Sequence, residues 1–221
     1  MDFNKFYFFH IDKTIGRTTG IHMMELLYNH LDQNGVEAGK YNKIHKDHNF
    51  WQDFDEKTYI YATVRDPVFK TVSEFGYDIN YDENGYKVGH QQKDFISPNF
   101  TIENFEKWFE TRFEPNTQYK AFMKNSDDPG DLEKRLKRIN LLIRSKNLKK
   151  NELNIMNKIV KDLNITNLIP SYNEDIEIEF YEEAIRDFYN YNIAGTAWFH
   201  KIKEVNNLDW KIYHSNYIQG L

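Results

Sequence analysis

Phe6-Tyr7-Phe8-Phe9-His10-Ile11-Asp12-Lys13-Thr14-Ile15-Gly16-Arg17-Thr18-Thr19-Gly20 is the stretch from which the fold is read. Its first six residues form a continuous aromatic and apolar run, the pattern of a strand buried on both faces of a parallel sheet. A polar turn follows. From Gly20 to Leu31, Ile21, Met24, Leu27, Tyr28 and Leu31 then recur at helical spacing, so the unit is strand, loop, helix. A second such unit begins at Thr58–Val64, a strand-like run followed by Arg65-Asp66-Pro67. Pro67 suits the first turn of a helix, where its missing N–H costs nothing. That helix carries Val68, Val72 and Phe75 and is expected to stop near Gly76. Two strand–loop–helix units predict an α/β fold with a central parallel sheet flanked by helices.

Further along, Asp78 to Pro98 is rich in Asp, Asn, Gly and Gln and reads as a long loop, of the kind that serves as a lid or touches substrate. Helical patterning resumes in Ile102–Phe113, Leu132–Ile143, Glu152–Leu163 and Ile176–Tyr189, and Ile193–Leu221 is a Trp- and Tyr-containing tail of unassigned role. At 221 residues the chain is expected to be a single domain, 1–221.

The bulk composition excludes several classes. Apolar residues make up 40% of the chain, with 17 Phe and 15 Tyr, which suits a packed core. A net charge of −5 argues against general nucleic-acid binding, so any anion site must be local. The absence of cysteine removes disulfides, thiolate metal sites and thiol nucleophiles. The start does not have the pattern of a signal peptide, and no apolar stretch is long enough to cross a bilayer. A cytoplasmic protein without a membrane partner is therefore expected. Its Lys-, Asn- and Ile-rich composition suggests a bacterial or viral source.

Between the first strand and its helix lie Lys13, Thr14, Gly16, Arg17, Thr18 and Thr19. The N–H groups of a helix's first turn lack internal partners and carry partial positive charge, so they attract anions. Thr hydroxyls add donors, Lys13 and Arg17 add full charges, and Gly16 allows close approach of the backbone. An N-capped helix with solvated Lys and Arg would show the same residues. An ATP-binding Walker A loop would place its glycines before the Lys and a Ser or Thr directly after it. Here Lys13 opens the loop, which disfavours an ordinary nucleotide kinase.

The order strand-His-Ile-x-Lys-Thr-x-Gly-x-Thr-Thr resembles the 5′-phosphosulfate loop of sulfotransferases that use 3′-phosphoadenosine 5′-phosphosulfate (PAPS), closest to the carbohydrate sulfotransferase branch. The chain departs from that loop at Asp12, Ile15 and Arg17, where the branch commonly has Pro, Gly and a hydroxyl residue. Arg65-Asp66-Pro67-Val68-Phe69-Lys70-Thr71-Val72-Ser73 is similar to the same family's 3′-phosphate motif, an Arg-Asp-Pro with a Ser eight residues after the Arg. Arg65 can grip a phosphate with two parallel N–H···O bonds, and Ser73 can reach it from the helix. Lys70 stands where the family usually has Arg. Phe105, Phe109, Asn116-Thr117-Gln118, Phe122 and the run 181–191 carry thinner similarity.

The resemblance implies a P-loop-like sulfotransferase fold, PAPS as co-substrate with 3′-phosphoadenosine 5′-phosphate (PAP) as product, no metal, and a hydroxyl acceptor of the carbohydrate class. Lys13, Thr14, Gly16, Arg17, Thr18 and Thr19 would cradle the phosphosulfate. Arg65 and Ser73 would hold the 3′-phosphate, and Lys13 would also neutralise the leaving group. The family's base is a His placed before the Arg-Asp-Pro strand, where this chain has His45 and His48. His48 is preferred because Asp53 and Phe54 follow it at the offsets some members show. Two solvated loop histidines, or less readily a zinc pair, are the other readings of these residues.

Lys134, Arg135, Lys137, Arg138, Arg144, Lys146, Lys149 and Lys150 form a basic cluster, read as a solvated helix face opposite Leu132, Leu136, Ile139 and Ile143; docking of an anionic acceptor is the sharper alternative. Trp108, Trp198 and Trp210 are expected in the core, with stacking on sugar rings as the alternative. Beside sulfotransfer, two functions stay open: a nucleotide kinase using ATP and Mg, and a catalytically silent nucleotide-binding protein of the same fold.

Overall fold

A computed structural model describes residues 3–9, 11, 17–38, 51, 54–79, 100–170 and 180–219. The chain divides into two compact units. The first comprises Met1–Arg65, Gln118–Glu174 and Ile212–Leu221, and the second comprises Asp66–Thr117 and Asp175–Lys211.

The first unit is an α/β layer structure around a four-stranded, all-parallel sheet. Strands β1 (Lys5–Phe9), β2 (Glu37–Ala38), β3 (Thr58–Val64) and β4 (Leu141–Arg144) lie in the order β2-β1-β3-β4. All seven residues of β3 are buried, as a central strand covered on both faces requires. Period-two alternation sorts the side chains. Phe6, Phe8, Tyr59, Tyr61, Leu141 and Ile143 face α1 (Arg17–Gln33) and α6 (Leu148–Asp162), which contribute Met23, Met24, Leu27 and Leu31, and Ile155, Met156, Ile159 and Val160. Phe9, Ile60, Ala62, Val64 and Leu142 face the other way. There they meet Phe122 of α4 (Thr117–Phe122), Leu136 of α5 (Pro129–Arg138), and Ile212 and Tyr213 of α9 (Asn207–Tyr213).

The strand Thr58–Val64 and the helix from Pro67 appear where the sequence places them, although that helix, α2 (Pro67–Asp78), continues past Gly76. The helix expected over Leu132–Ile143 is instead α5 followed by β4. Asp128 accepts the N–H of Gly130 and Pro129 opens α5, which is complete at Arg138. Asn140 then donates its main-chain N–H to Ile60 C=O at 2.9 Å and accepts Ile60 N–H on Oδ1 at 2.7 Å, which starts the strand beside β3. A buried run as short as Leu141-Leu142-Ile143 fits either period, and sheet pairing settles it.

The second unit is helical. It holds α2, α3 (Ile102–Thr111), α7 (Phe180–Phe188), a π-helical turn at Tyr189–Ile193 and α8 (Ala197–Val205). The tail 193–221 therefore carries regular structure, in α8 and α9. Phe75 sits at the centre of this unit with Phe100, Phe105, Trp108 and Phe188 at ring-centroid distances of 5.2–5.6 Å. Trp108 is buried and donates its indole N–H to Asp78 at 2.7 Å, while Trp198 and Trp210 are partly buried against the same cluster. Of the loop read over Asp78–Pro98, Asp78 closes α2, and 80–99 lie outside the described residues. Among the described residues, no helix is long and apolar enough to cross a membrane.

Replacing Phe75 by Ala empties the centre of four ring contacts, and the expected loss is about 3–5 kcal/mol, read from the midpoint of urea unfolding. A loss below about 1 kcal/mol would show that Phe75 does not organise this unit.

Candidate functional site: the carboxyl edge of the sheet

In a parallel sheet, every strand delivers its carboxyl end to the same edge. β1 and β3 pair from Lys5↔Thr58 to Phe9↔Ala62, and β3 pairs with β4 from Tyr61↔Leu141 to Val64↔Arg144. The chain leaves β1 through α1 and returns as β2 on one side, whereas β3 lies on the other side of β1. Strand order therefore reverses between β1 and β3, the place where open α/β sheets bind ligands beyond their carboxyl ends. Ile11 and Arg17 flank the segment 12–16 that leads from β1 into α1, and Arg65 is the first residue after β3.

Of the residues singled out in the sequence, Lys13, Thr14, Gly16, His45 and His48 lie outside the described residues, as does His10. Arg17, Thr18 and Thr19 form the first turn of α1. Arg65 is half-buried at the end of β3, and Ser73 lies within α2 and is buried. The structure thus brings the end of β1, the start of α1 and Arg65 into one unit, with the β1 and β3 ends on one edge.

The turn after Arg65 is built from local rules. Asp66 is the N-cap of α2, its Oδ1 accepting the N–H groups of Val68 at 2.9 Å and Phe69 at 3.1 Å, and Pro67 occupies the first helical position. Before the cap, Arg65 N–H donates to Gln118 Oε1 at 2.8 Å, and Gln118 Nε2 donates to Arg65 C=O at 2.9 Å. An Asp-Pro pair ahead of an apolar-periodic run is a cap signal that can be read from sequence. The Gln118 contact spans 53 residues, and only the thin Asn-x-Gln similarity marked it.

Lys70 is 2% exposed, and its ammonium donates to Glu74 and to the Thr117 hydroxyl. It is therefore held inside the second unit by a carboxylate one turn away. Burial pushes the Glu74 carboxyl above its ordinary value of 4.5, with Lys70 pulling against that and Asp209 and Asp78 adding to it.

Trp51 follows His48 by three positions, and its ring packs on Phe9 at 5.3 Å and on Phe54 at 5.7 Å. Phe9 is the last residue of β1, so the chain three positions after His48 is anchored at the end of that strand. Arg135 stands over the Trp51 ring at 5.3 Å and donates to the carbonyls of Phe122 and Lys124 at 2.6 and 2.9 Å.

The basic cluster is not one solvated helix face. Arg138 donates to the carbonyls of Asp55 and Thr58, and Arg135 is placed as above. Lys134 and Lys137 do point to solvent, paired with Asp131 and Glu133. Arg144 ends β4 on the face carrying Leu142. It donates from Nε and Nη2 to Tyr213 C=O at 3.2 and 3.0 Å and stands 5.0 Å from the Tyr213 ring. Among the described residues, no group of three or more His, Cys, Asp and Glu is placed to hold a metal ion.

Comparisons with family models, with curated proteins and with solved structures yield no match.

Removing one partner of the buried pair isolates the other, so Lys70→Met is expected to cost about 3–5 kcal/mol, and Lys70→Met/Glu74→Gln to recover most of it. The pH dependence has a defined sign. A carboxyl raised in the folded state contributes stability below its unfolded value, and that stability is lost as pH rises through the folded value. Without Lys70 the folded value rises further, so the Lys70→Met deficit should grow between about pH 5 and about pH 8. Urea unfolding across that range measures it, and a deficit that shrinks with pH contradicts the pairing.

Proposed function

We propose that this chain is a sulfotransferase with a P-loop-like sulfotransferase fold, moving a sulfuryl group from PAPS to an acceptor hydroxyl, with a carbohydrate as the acceptor class. The observation that carries this reading is topological. The two motifs that resemble the family's phosphate-binding segments each follow a strand, and those strands, β1 and β3, are parallel neighbours on either side of the point where strand order reverses. A nucleotide with phosphates at both its 5′ and 3′ positions needs two anion-binding turns at one edge, and this arrangement supplies two strand ends there.

In this reading, Lys13, Thr14, Gly16, Arg17, Thr18 and Thr19 take the 5′-phosphosulfate, helped by the N–H groups that open α1. Arg65 and Ser73 take the 3′-phosphate, as the motif they belong to implies. His48, or His45, removes the acceptor proton as the acceptor oxygen attacks sulfur. The new S–O bond forms in line as the bond from sulfur to the bridging phosphate oxygen breaks, and PAP leaves with the electron pair. Lys13 neutralises the charge that develops on that bridging oxygen. The packing of Trp51, three positions after His48, on Phe9 supports this assignment of the base.

A thermal-shift comparison tests the class. PAP at about 100 times its Kd should stabilise the chain by about 2.7 kcal/mol, while ATP–Mg should give no comparable shift. The reverse pattern would identify a nucleotide kinase. PAPS turnover against a panel of sugar acceptors tests the chemistry, and Lys13→Ala should lower kcat about 100- to 1,000-fold. His48→Ala should abolish most turnover with PAP affinity retained; if His45→Ala does so instead, the base is His45. Binding of PAP with no turnover on any acceptor would point to a silent protein.

A further inference from the structure

We propose that Gln118 is a positioning residue for Arg65, fixing its main chain so that the guanidinium is presented to the nucleotide's 3′-phosphate; this rests on the sulfotransferase reading above. Arg65 is the first residue beyond the sheet ladder. On one side β3 is last registered with β1 at Ala62↔Phe9, and on the other with β4 at Val64↔Arg144. It stands at the end of the described register, and one residue later the chain is already in the N-cap of α2. Buried main-chain groups left unpaired are costly, and a peptide with no partner there would be free to turn.

Gln118 meets both main-chain groups of Arg65. Its side chain is fully buried, and its amide meets Arg65 with the acceptor on the N–H at 2.8 Å and the donor on the C=O at 2.9 Å. A primary amide carries a donor and an acceptor side by side, so it can offer a residue both bonds that a neighbouring strand would give. Gln118 therefore extends the ladder by one residue without a strand. If packing alone were required, Leu or Met would fill the volume and bring no polar atoms to satisfy. An arginine fork binds a phosphate with two parallel N–H···O bonds only when its plane is aligned with the phosphate oxygens, so a held main chain favours it.

The test measures binding of two nucleotides to the full chain by titration calorimetry: PAP, and adenosine 5′-phosphate, which differs by the missing 3′-phosphate. The variants are Gln118→Met, which keeps length and loses both bonds, and Gln118→Glu, which keeps the acceptor and turns an oxygen on the Arg65 carbonyl. Both should weaken PAP about 10- to 100-fold while adenosine 5′-phosphate stays within about twofold, collapsing the preference for the 3′-phosphate. In an Arg65→Ala background, Gln118→Met should weaken PAP no further, because the two residues act as one. Parallel weakening of both nucleotides, additive effects of the two substitutions, or unchanged PAP affinity in the folded variants would each overturn the role. If both variants fail to fold, Gln118 is a structural residue and the proposal falls. If the unmodified chain does not prefer PAP over adenosine 5′-phosphate, the sulfotransferase reading itself fails, and that is seen before any variant is made.

Discussion

The pairing of β1 with β3 is the constraint on which the first unit depends, and aromatic side chains hold its register. Phe8 stacks on Tyr61 at 5.1 Å and Phe6 on Tyr59 at 6.1 Å, both on the face covered by α1 and α6. Directly opposed aromatic pairs on one face are a strong form of cross-strand contact. A slip of one residue would turn Phe6 and Phe8 to the opposite face and bring Tyr7 and Phe9 into their place, so the register is a property of the whole layer. Because the pairing is parallel, fixing it also fixes where both strands end. The edge beyond Phe9 and Val64, the start of α1 and the turn at Arg65 all inherit their placement from these ring contacts.

Asn116 and Thr117 in the second unit, and Gln118 in the first, show how polar side chains specify turns. Asn116 adopts a left-handed backbone (φ 57°), a conformation that Asn tolerates better than most residues. Its N–H donates to Asn206 Oδ1 at 2.8 Å, and its own Oδ1 accepts from Leu208 N–H at 3.0 Å and Asp209 N–H at 3.3 Å at the start of α9. Thr117 receives Lys70, and Gln118 takes the main chain of Arg65. Each bond satisfies a group that burial would otherwise penalise, which ties a short polar run to helix starts and strand ends far away in sequence. Lys70 belongs to the same logic. At the position where the resembled family has an arginine, this chain has a lysine whose charge is met by Glu74, so its observed work is internal.

The strand–loop–helix units were legible because each rests on local physics: a strand-like run at Thr58–Val64, Pro67 at a first helical turn, and helical spacing from Met24 to Leu31. β4 was not legible, since Leu141-Leu142-Ile143 continues the spacing of Leu132, Leu136 and Ile139, and only the contact of Asn140 with Ile60, 80 positions away, separates strand from helix. The same limit applies to the site. Arg65 and Ser73 stand out by motif, whereas Gln118 owes its place to a long-range bond that no periodicity encodes. Arg144 was grouped with a helical basic face because its strand was missed. The proposed phosphate-loop residues Lys13, Thr14 and Gly16, and both candidate bases, fall outside the described residues, so their legibility rests on the motifs alone.

The described basic residues of the first unit fall into two groups by the partners they meet. In the first unit, Lys5, Lys134, Lys137 and Lys158 pair with Asp55, Asp131, Glu133 and Asp162, so their charges are locally cancelled. Arg135, Arg138 and Arg144 are instead held by main-chain carbonyls, which satisfy N–H groups without removing charge. Burial presses down on the guanidinium equilibria of Arg135 and Arg138, yet arginine stays charged at any pH the fold survives. Arg138 sits near Thr58, at the amino end of β3, whereas Arg144 sits beside Val64 at its carboxyl end. The carboxyl edge therefore combines Arg144, fixed by a neutral partner, with the half-buried Arg65 that follows Val64. Net charge averages over paired lysines and distant acids, while the field an anion meets is set by the nearest uncancelled cations.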